Sequence, residues 1–265
     1  MSENTVVLER VCGTAVITLN RPHRRNALDD SIRTGMTAAL DSIRQDPDVH
    51  AVVLTGAGGN FCAGADLGDG EGERERAFFV RDLLLDHDRW FTELIELEKP
   101  VIAAVDGFAT GAGLSVALAA DFIVASDRAR FVSSFARVGF IPDLSLLYTL
   151  PRRVGLVRAK EIAFSAREIL PGEAIATGLA DIVVPAAQLR EAAIEFAQRF
   201  DSAPTQVLGM AKRVMNRAFE TDRHTLAQLE ATLQGLCAAG RFNAEAMRRF
   251  FAKEAPLYAG TERLF

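Results

Sequence analysis

The chain has 265 residues, 49% of them hydrophobic, enough to bury the core of one large domain. Its 30 basic and 35 acidic residues make it mildly acidic, and without a basic block it is not built to grip nucleic acid. Cys12, Cys62 and Cys237 are odd in number and widely spaced, with no CxxC and no Cys/His pair at metal-ligand spacing, so we expect a reducing cytoplasm and no metal site.

The opening MSENTVVLER has no basic segment leading into an apolar one, so no secretory signal is expected. Val6 to Leu8 and Ala15 to Leu19 read as strands joined by a turn at Cys12-Gly13. A helix is expected from Asp29 or Asp30, because Ile32, Met36, Leu40 and Ile43 recur at helical spacing. Ala51 to Leu54 is a short apolar strand that runs into a glycine-dense stretch ending in Gly64-Ala65. The hydrophilic run from Gly68 to Arg76 predicts a mobile surface loop, followed by a helix from about Ala77 to Leu97.

Val101 to Val105 reads as a buried strand that passes through Asp106-Gly107 into a loop with glycines at 107, 111 and 113. An apolar helix then stops before Asp121. The uncharged window from Gly107 to Ala120 falls short of the roughly 20 residues that span a bilayer, so no membrane segment is expected. Phe122 to Ala125 and Phe131-Val132 continue as strands, and alternating strand and helix predicts an α/β fold with a largely parallel sheet covered on both faces. From Ser145 the pattern is almost wholly helical, with one strand at Ile182 to Val184. No internal repeat stands out.

Ala65 and Ala112 both sit in glycine-flanked corners after strands. Glycines let a backbone approach a ligand, and two amides aimed at one carbonyl oxygen would stabilise the charge that develops on it. Other motifs fail on inspection: Val116 stands where a dinucleotide loop needs its third glycine, and Ala117 where a nucleophile elbow needs its last. The acidic loop from Asp66 to Glu73 lacks calcium-loop spacing, and among the scattered histidines only His87 lies near the corners in sequence.

The chain resembles the crotonase superfamily of CoA-thioester enzymes in Asn20-Arg21-Pro22 with Asn26-Ala27-Leu28, in Phe61 to Leu67, in Lys99 to Asp121 and in Val138 to Asp143. Leu150-Pro151-Arg152 with Gly155, Ala180 to Val183 and Glu245 to Pro256 extend the match over nearly the whole chain. The resemblance implies a spiral of ββα turns over residues 1–200 holding a CoA-thioester site, and a helical region over 201–265 used in trimer contacts, as a homotrimer or a dimer of trimers. It implies an oxyanion hole from the Ala65 and Ala112 amides, with CoA as part of the substrate and no separate cofactor. It also implies CoA contacts from Arg24, Arg25, Ala63, Asp66 and Leu67, and from Phe250 and Lys253 of the C-terminal Phe-x-x-Lys, which can reach a neighbouring subunit.

The departures from the family pattern bear on the chemistry. Where hydratases of the family carry two glutamates, this chain has Ser115 and Phe135, and neither can serve as a carboxylate base. Asp143 stands where several isomerase members keep a single carboxylate, beside the apolar Phe140, Ile141 and Leu144. Burial among them would raise its pKa and suit it to abstracting an α-proton, so the expected reaction is a 1,3-proton shift in an unsaturated acyl-CoA. The other readings are a turn or N-cap role for Asp143, a hydratase-like enzyme, a dehalogenase- or hydrolase-like enzyme with Asp143 as nucleophile, and a non-catalytic acyl-CoA binding subunit.

Overall fold

The computed structural model of the chain describes residues 4–66 and 76–260. The surface loop expected from Gly68 lies outside the described residues, and so does Leu67. Val6–Val11 (β1) and Thr14–Leu19 (β2) form the expected hairpin, with Val11 opposite Thr14. Next come Asp30–Gln45 (α1), Ala51–Gly56 (β3), Arg76–Ile95 (α2), Val101–Val105 (β4), Phe108–Thr110 (β5) and Ala112–Leu118 (α3). Phe122–Ser126 (β6), Arg130–Val132 (β7), Leu146–Val154 (α4), Leu156–Ser165 (α5), Glu168–Ile169 (β8), Pro171–Thr177 (α6) and Ile182–Val184 (β9) follow. The chain ends in Leu189–Gln198 (α7), Thr205–Met215 (α8), Arg223–Ala238 (α9) and Arg241–Ala252 (α10). Asp29 caps α1 by accepting from the Ile32 amide at 3.0 Å. No helix among the described residues is long and apolar enough to cross a membrane.

The larger sheet runs in the order β1-β2-β3-β4-β6-β9, and only the β1 pairing is antiparallel. A parallel sheet buries both faces, and the strand residues divide between two cores accordingly. Ile17, Leu54, Ala103 and Ile123 join the core that includes Ile32, Met36 and Leu40 of α1. Val16, Val53, Ile102 and Val124 point the other way, onto Ala193, Phe196 and Phe200 in and after α7.

A smaller sheet, β5-β7-β8, contains two strands that were not expected. They hold three and two residues, too few for any periodicity to register. β5 forms where a loop was expected because Gly107, at φ +51°, turns the chain out of the larger sheet straight into the smaller one. β6 and β7 repeat the step, so β4 pairs with β6 in one sheet and β5 with β7 in the other, both parallel. The chain winds through the two sheets as the ββα spiral that the resemblance implies.

A repeat that the residue pattern concealed is visible in how this spiral is stitched. The Asp121 amide donates to the Val101 carbonyl at 2.9 Å and its carboxylate accepts from the Val101 amide at 2.8 Å. One turn later Asp181 does the same to Ile123, at 2.9 and 2.7 Å. Each carboxylate also meets a cation, Lys212 at 2.8 Å for Asp121 and Arg153 for Asp181. Lys212 fastens α8 to the spiral, and Gly209 in the same helix leaves no room for a Cβ against Glu98. By contrast, no residue of α9 or α10 is buried.

Because Lys212 is buried, Lys212→Ala removes the charge that offsets a partly buried Asp121. Losing one member of such a pair costs about 3 kcal/mol or more. We expect a lower urea midpoint with an unchanged denaturant slope, measured by circular dichroism.

Candidate active site

Two corners follow β3 and β5, and hydrogen bonds force them together. Cys62 lies alongside β5, its amide donating to the Phe108 carbonyl at 2.9 Å and its carbonyl accepting from the Thr110 amide at 3.0 Å. Three residues on, the chain changes partner: the Leu28 amide donates to Gly64 at 2.8 Å and the Asp66 amide to Leu28 at 2.8 Å. In a parallel pairing of this kind, the residue between those two bonds turns its own N–H and C=O away from the partner. That residue is Ala65. Its amide has no acceptor among the described residues, and neither has the Ala112 amide at the first position of α3.

The glycines mark where the corners touch. Gly64 has φ +100°, and a Cβ there would stand 2.8 Å from the Thr110 carbonyl oxygen and 3.5 Å from the Ala112 nitrogen. A Cβ on Gly113 would collide with the Cys62 carbonyl. Gly111, at φ 56° and ψ −124°, has a backbone conformation that side chains disfavour. Ala65 is exposed while Ala112 is buried.

Asp143 reaches this region through α3. The Ser115 hydroxyl, three residues into the helix from Ala112 and so about 4.5 Å along its axis, donates to the Asp143 carbonyl at 2.9 Å. The Asp143 carboxylate does not cap α4: the cap residue is Ser145, with no side-chain cap bond. Asp143 Oδ1 is instead buried with no hydrogen-bond partner. Burial pushes its carboxyl up from the ordinary 3.8 to about 6. The direction matches the expectation, but the neighbours differ. Phe140 and Ile141 face outward, Ile141 at 76% exposure, and of the three expected side chains only Leu144 is buried.

The two positions that match the hydratase glutamates are both buried, Ser115 completely. Phe135, in the 3-10 turn Ser134–Val138, has its ring edge 4.0 Å from where a Gly111 Cβ would be, so it walls the Gly111 corner. His87 accepts from the Trp90 indole N–H at 3.0 Å through Nδ1, and burial followed by the nearby Arg33 pulls its pKa down. It is a satisfied core histidine.

The loop carrying Arg24 and Arg25 lies beside the first corner, since the Ala63 amide donates to the Arg25 carbonyl at 2.9 Å. Both arginines are exposed and neither has an acidic partner among the described residues; Arg25 stands 5.7 Å from the Phe108 ring centroid. Asp66 is engaged by Arg21 at 3.1 Å. Phe250 and Lys253, in and just after α10, are exposed, and no hydrogen bond or ion pair joins them to these corners. Sequence reasoning placed Asn26 in a family motif but gave it no role; it is fully buried and pins the loop through Nδ2 to the Ala57 and Asn60 carbonyls at 2.9 and 2.7 Å. Asn26 has φ +58°, a left-handed conformation that asparagine tolerates better than most residues, and that preference was a signal for a structural role.

The two-sheet winding is the crotonase fold. A solved enoyl-CoA hydratase/isomerase from Cupriavidus metallidurans CH34 superposes with a TM-score of 0.88 at 34% identity, covering 99% of each chain. The family model for enoyl-CoA hydratase/isomerase matches residues 9–261, and the chain belongs to that family. A 1,2-epoxyphenylacetyl-CoA isomerase of Escherichia coli (strain K12) is 33% identical over 252 residues, covering 94% of this chain and 95% of its own. A short-chain-enoyl-CoA hydratase of Clostridium acetobutylicum is 35% identical over 254 residues, covering 96% of this chain and 97% of its own.

The raised pKa of Asp143 has a stability consequence with a definite sign. Between 3.8 and about 6 the folded chain holds the proton that the unfolded chain has released, so stability falls as pH rises through that window. Above it the full penalty of a buried charge is present. Asp143→Asn is therefore expected to melt higher than wild type at pH 8 and at the same temperature near pH 4, measured by scanning calorimetry.

Proposed function

We propose that the protein is an acyl-CoA isomerase that moves a double bond by a 1,3-proton shift, with Asp143 as its single base. The observation that carries this reading is a half-buried aspartate whose Oδ1 is buried without a partner and whose main chain is tied to the helix that bears a free amide, while Ser115 and Phe135 occupy the other acid positions. The thioester oxygen of the substrate accepts from the Ala65 and Ala112 amides, which makes the α-protons acidic. Asp143 removes one, the electron pair spreads over the dienolate onto that oxygen, and Asp143 returns the proton at the γ-carbon. The double bond moves from the 3,4 to the 2,3 position, and every atom is conserved without a separate cofactor. CoA enters as part of the substrate, its phosphates meeting the exposed Arg24 and Arg25.

Hydratase is the commoner name among the relatives, and one relative is named an isomerase. Hydration needs a base on water as well as an acid at the α-carbon, and a single carboxylate fits a shuttle better. A 3-enoyl-CoA is therefore the substrate to supply, with the conjugated thioester followed by ultraviolet absorbance. Wild type should convert it, and Asp143→Asn should lose roughly 10²- to 10⁴-fold in kcat. Equal turnover by the two excludes Asp143 as the base. Tight binding without exchange of α-protons into heavy water would favour a binding subunit, and a covalent adduct on Asp143 a nucleophile.

The assembly belongs to the same proposal: a trimer or a dimer of trimers, with residues 201–265 in its contacts. Support comes from large apolar side chains left open to solvent, among them Val157, Phe164, Phe250 and Phe251 at 73 to 85% exposure. Phe250 and Lys253 would then reach the CoA of a neighbouring copy. Light scattering should return three or six times the mass of the chain, and a monomer would overturn the assembly.

A further inference from the structure

We infer that the Ser115 hydroxyl is a positioning residue for Asp143, holding the turn that carries the carboxylate against the helix that carries the Ala112 amide. A serine inside a helix commonly bonds the carbonyl one turn back in its own helix. Ser115 instead reaches a segment 28 residues further along the chain, donating to the Asp143 carbonyl at 2.9 Å with no exposure of its own to solvent. Among the described residues this is the one side-chain hydrogen bond to the main chain of Asp143 or Leu144.

The turn needs such a tie. Leu144 and Ser145 both adopt left-handed backbone angles, φ 42° and 55°, and neither is a glycine. Such residues are unfavourable unless the surroundings fix them. The local bond that closes the turn, from the Leu146 amide to the Asp143 carbonyl at 3.0 Å, leaves a second lone pair on that oxygen, and Ser115 occupies it. The carboxylate itself is anchored to nothing through Oδ1. Its aim is therefore set by the backbone on which it stands.

The inference rests on the isomerase reading, in which one carboxylate serves two carbons of the same substrate. The α-proton passes to Asp143, the electron pair passes into the dienolate, and the same proton passes to the γ-carbon, regenerating the carboxylate. A base displaced by about 1 Å loses on the order of 10²-fold.

Ser115→Ala is the direct test, with turnover of a 3-enoyl-CoA set against binding of butyryl-CoA, which has no double bond to shift. We expect kcat to fall ten- to a hundredfold while the butyryl-CoA dissociation constant stays within twofold. A kcat within twofold of wild type overturns the inference. So does binding that weakens in proportion to kcat, because the hydroxyl would then support the amide corner. Should Ser115→Ala fail to fold, Ser115→Cys keeps the volume with a weaker donor; intermediate turnover is expected, and wild-type turnover overturns the inference. Asp143→Asn, assayed alongside, separates the levels. If it turns over normally, the isomerase reading falls together with this one; if it is inactive and Ser115→Ala is normal, this one falls alone.

Discussion

The structure depends on a contact between two stretches of backbone. Residues 62–65 and 110–113 approach so closely that a Cβ on Gly64 would sit 2.8 Å from the Thr110 carbonyl oxygen and one on Gly113 would overlap the Cys62 carbonyl. Side chains normally hold two loops apart by several ångströms. Here two glycines remove them, and the Cys62 hydrogen bonds to β5 set the register at which the loops meet. The Leu28 pairing then turns the Ala65 amide away from its neighbour. Free amides at adjoining corners follow from the pairing pattern, with no side chain recruited for the purpose.

This arrangement sits at one end of the parallel strands, where loops are free to diverge from the sheet. The opposite end is stitched by Asp121 and Asp181, each bonding back to the first residues of the strand before it. The division of labour is physical. Carboxylates that have a cation and a backbone amide, as these have, contribute to holding the spiral. Asp143, whose Oδ1 has neither, is destabilised in its charged form, so its carboxyl holds a proton more readily than an ordinary one.

Much of this was legible in the sequence. The parallel strands announced themselves as apolar runs, and α1 through its capping aspartate and spacing. The two corners were readable because glycines crowd together after a strand where the backbone must turn sharply or pass close to another group. The missed features were short or non-local. β5 and β8 are too brief to show a period, and the Asp121 and Asp181 repeat lies in hydrogen bonds that each carboxylate accepts from a strand amide 20 or 58 residues away. Asp143 was singled out by its place in a family pattern, but its surroundings were misjudged: adjacency in sequence to Phe140 and Ile141 does not put them around it, because both side chains are exposed. Ser115 was readable as the loss of an acid and not as a hydrogen-bond donor, since its partner lies 28 residues away.

That loss changes how Asp143 titrates. Two carboxylates in one pocket repel, and one of them is driven to a high pKa by the charge of the other. With a hydroxyl at 115 and a phenyl ring at 135, those two positions supply no such partner, and burial is the leading cause of the rise to about 6. A group with that value is about ten to one ionised at pH 7. In the proposed isomerase it would be anionic often enough to abstract a proton and close enough to neutrality to hold one while the dienolate forms. A shuttle that must both take and return the same proton works best with a pKa near the working pH, which a second nearby carboxylate would disturb. On this view the serine and the phenylalanine are part of how the base is tuned.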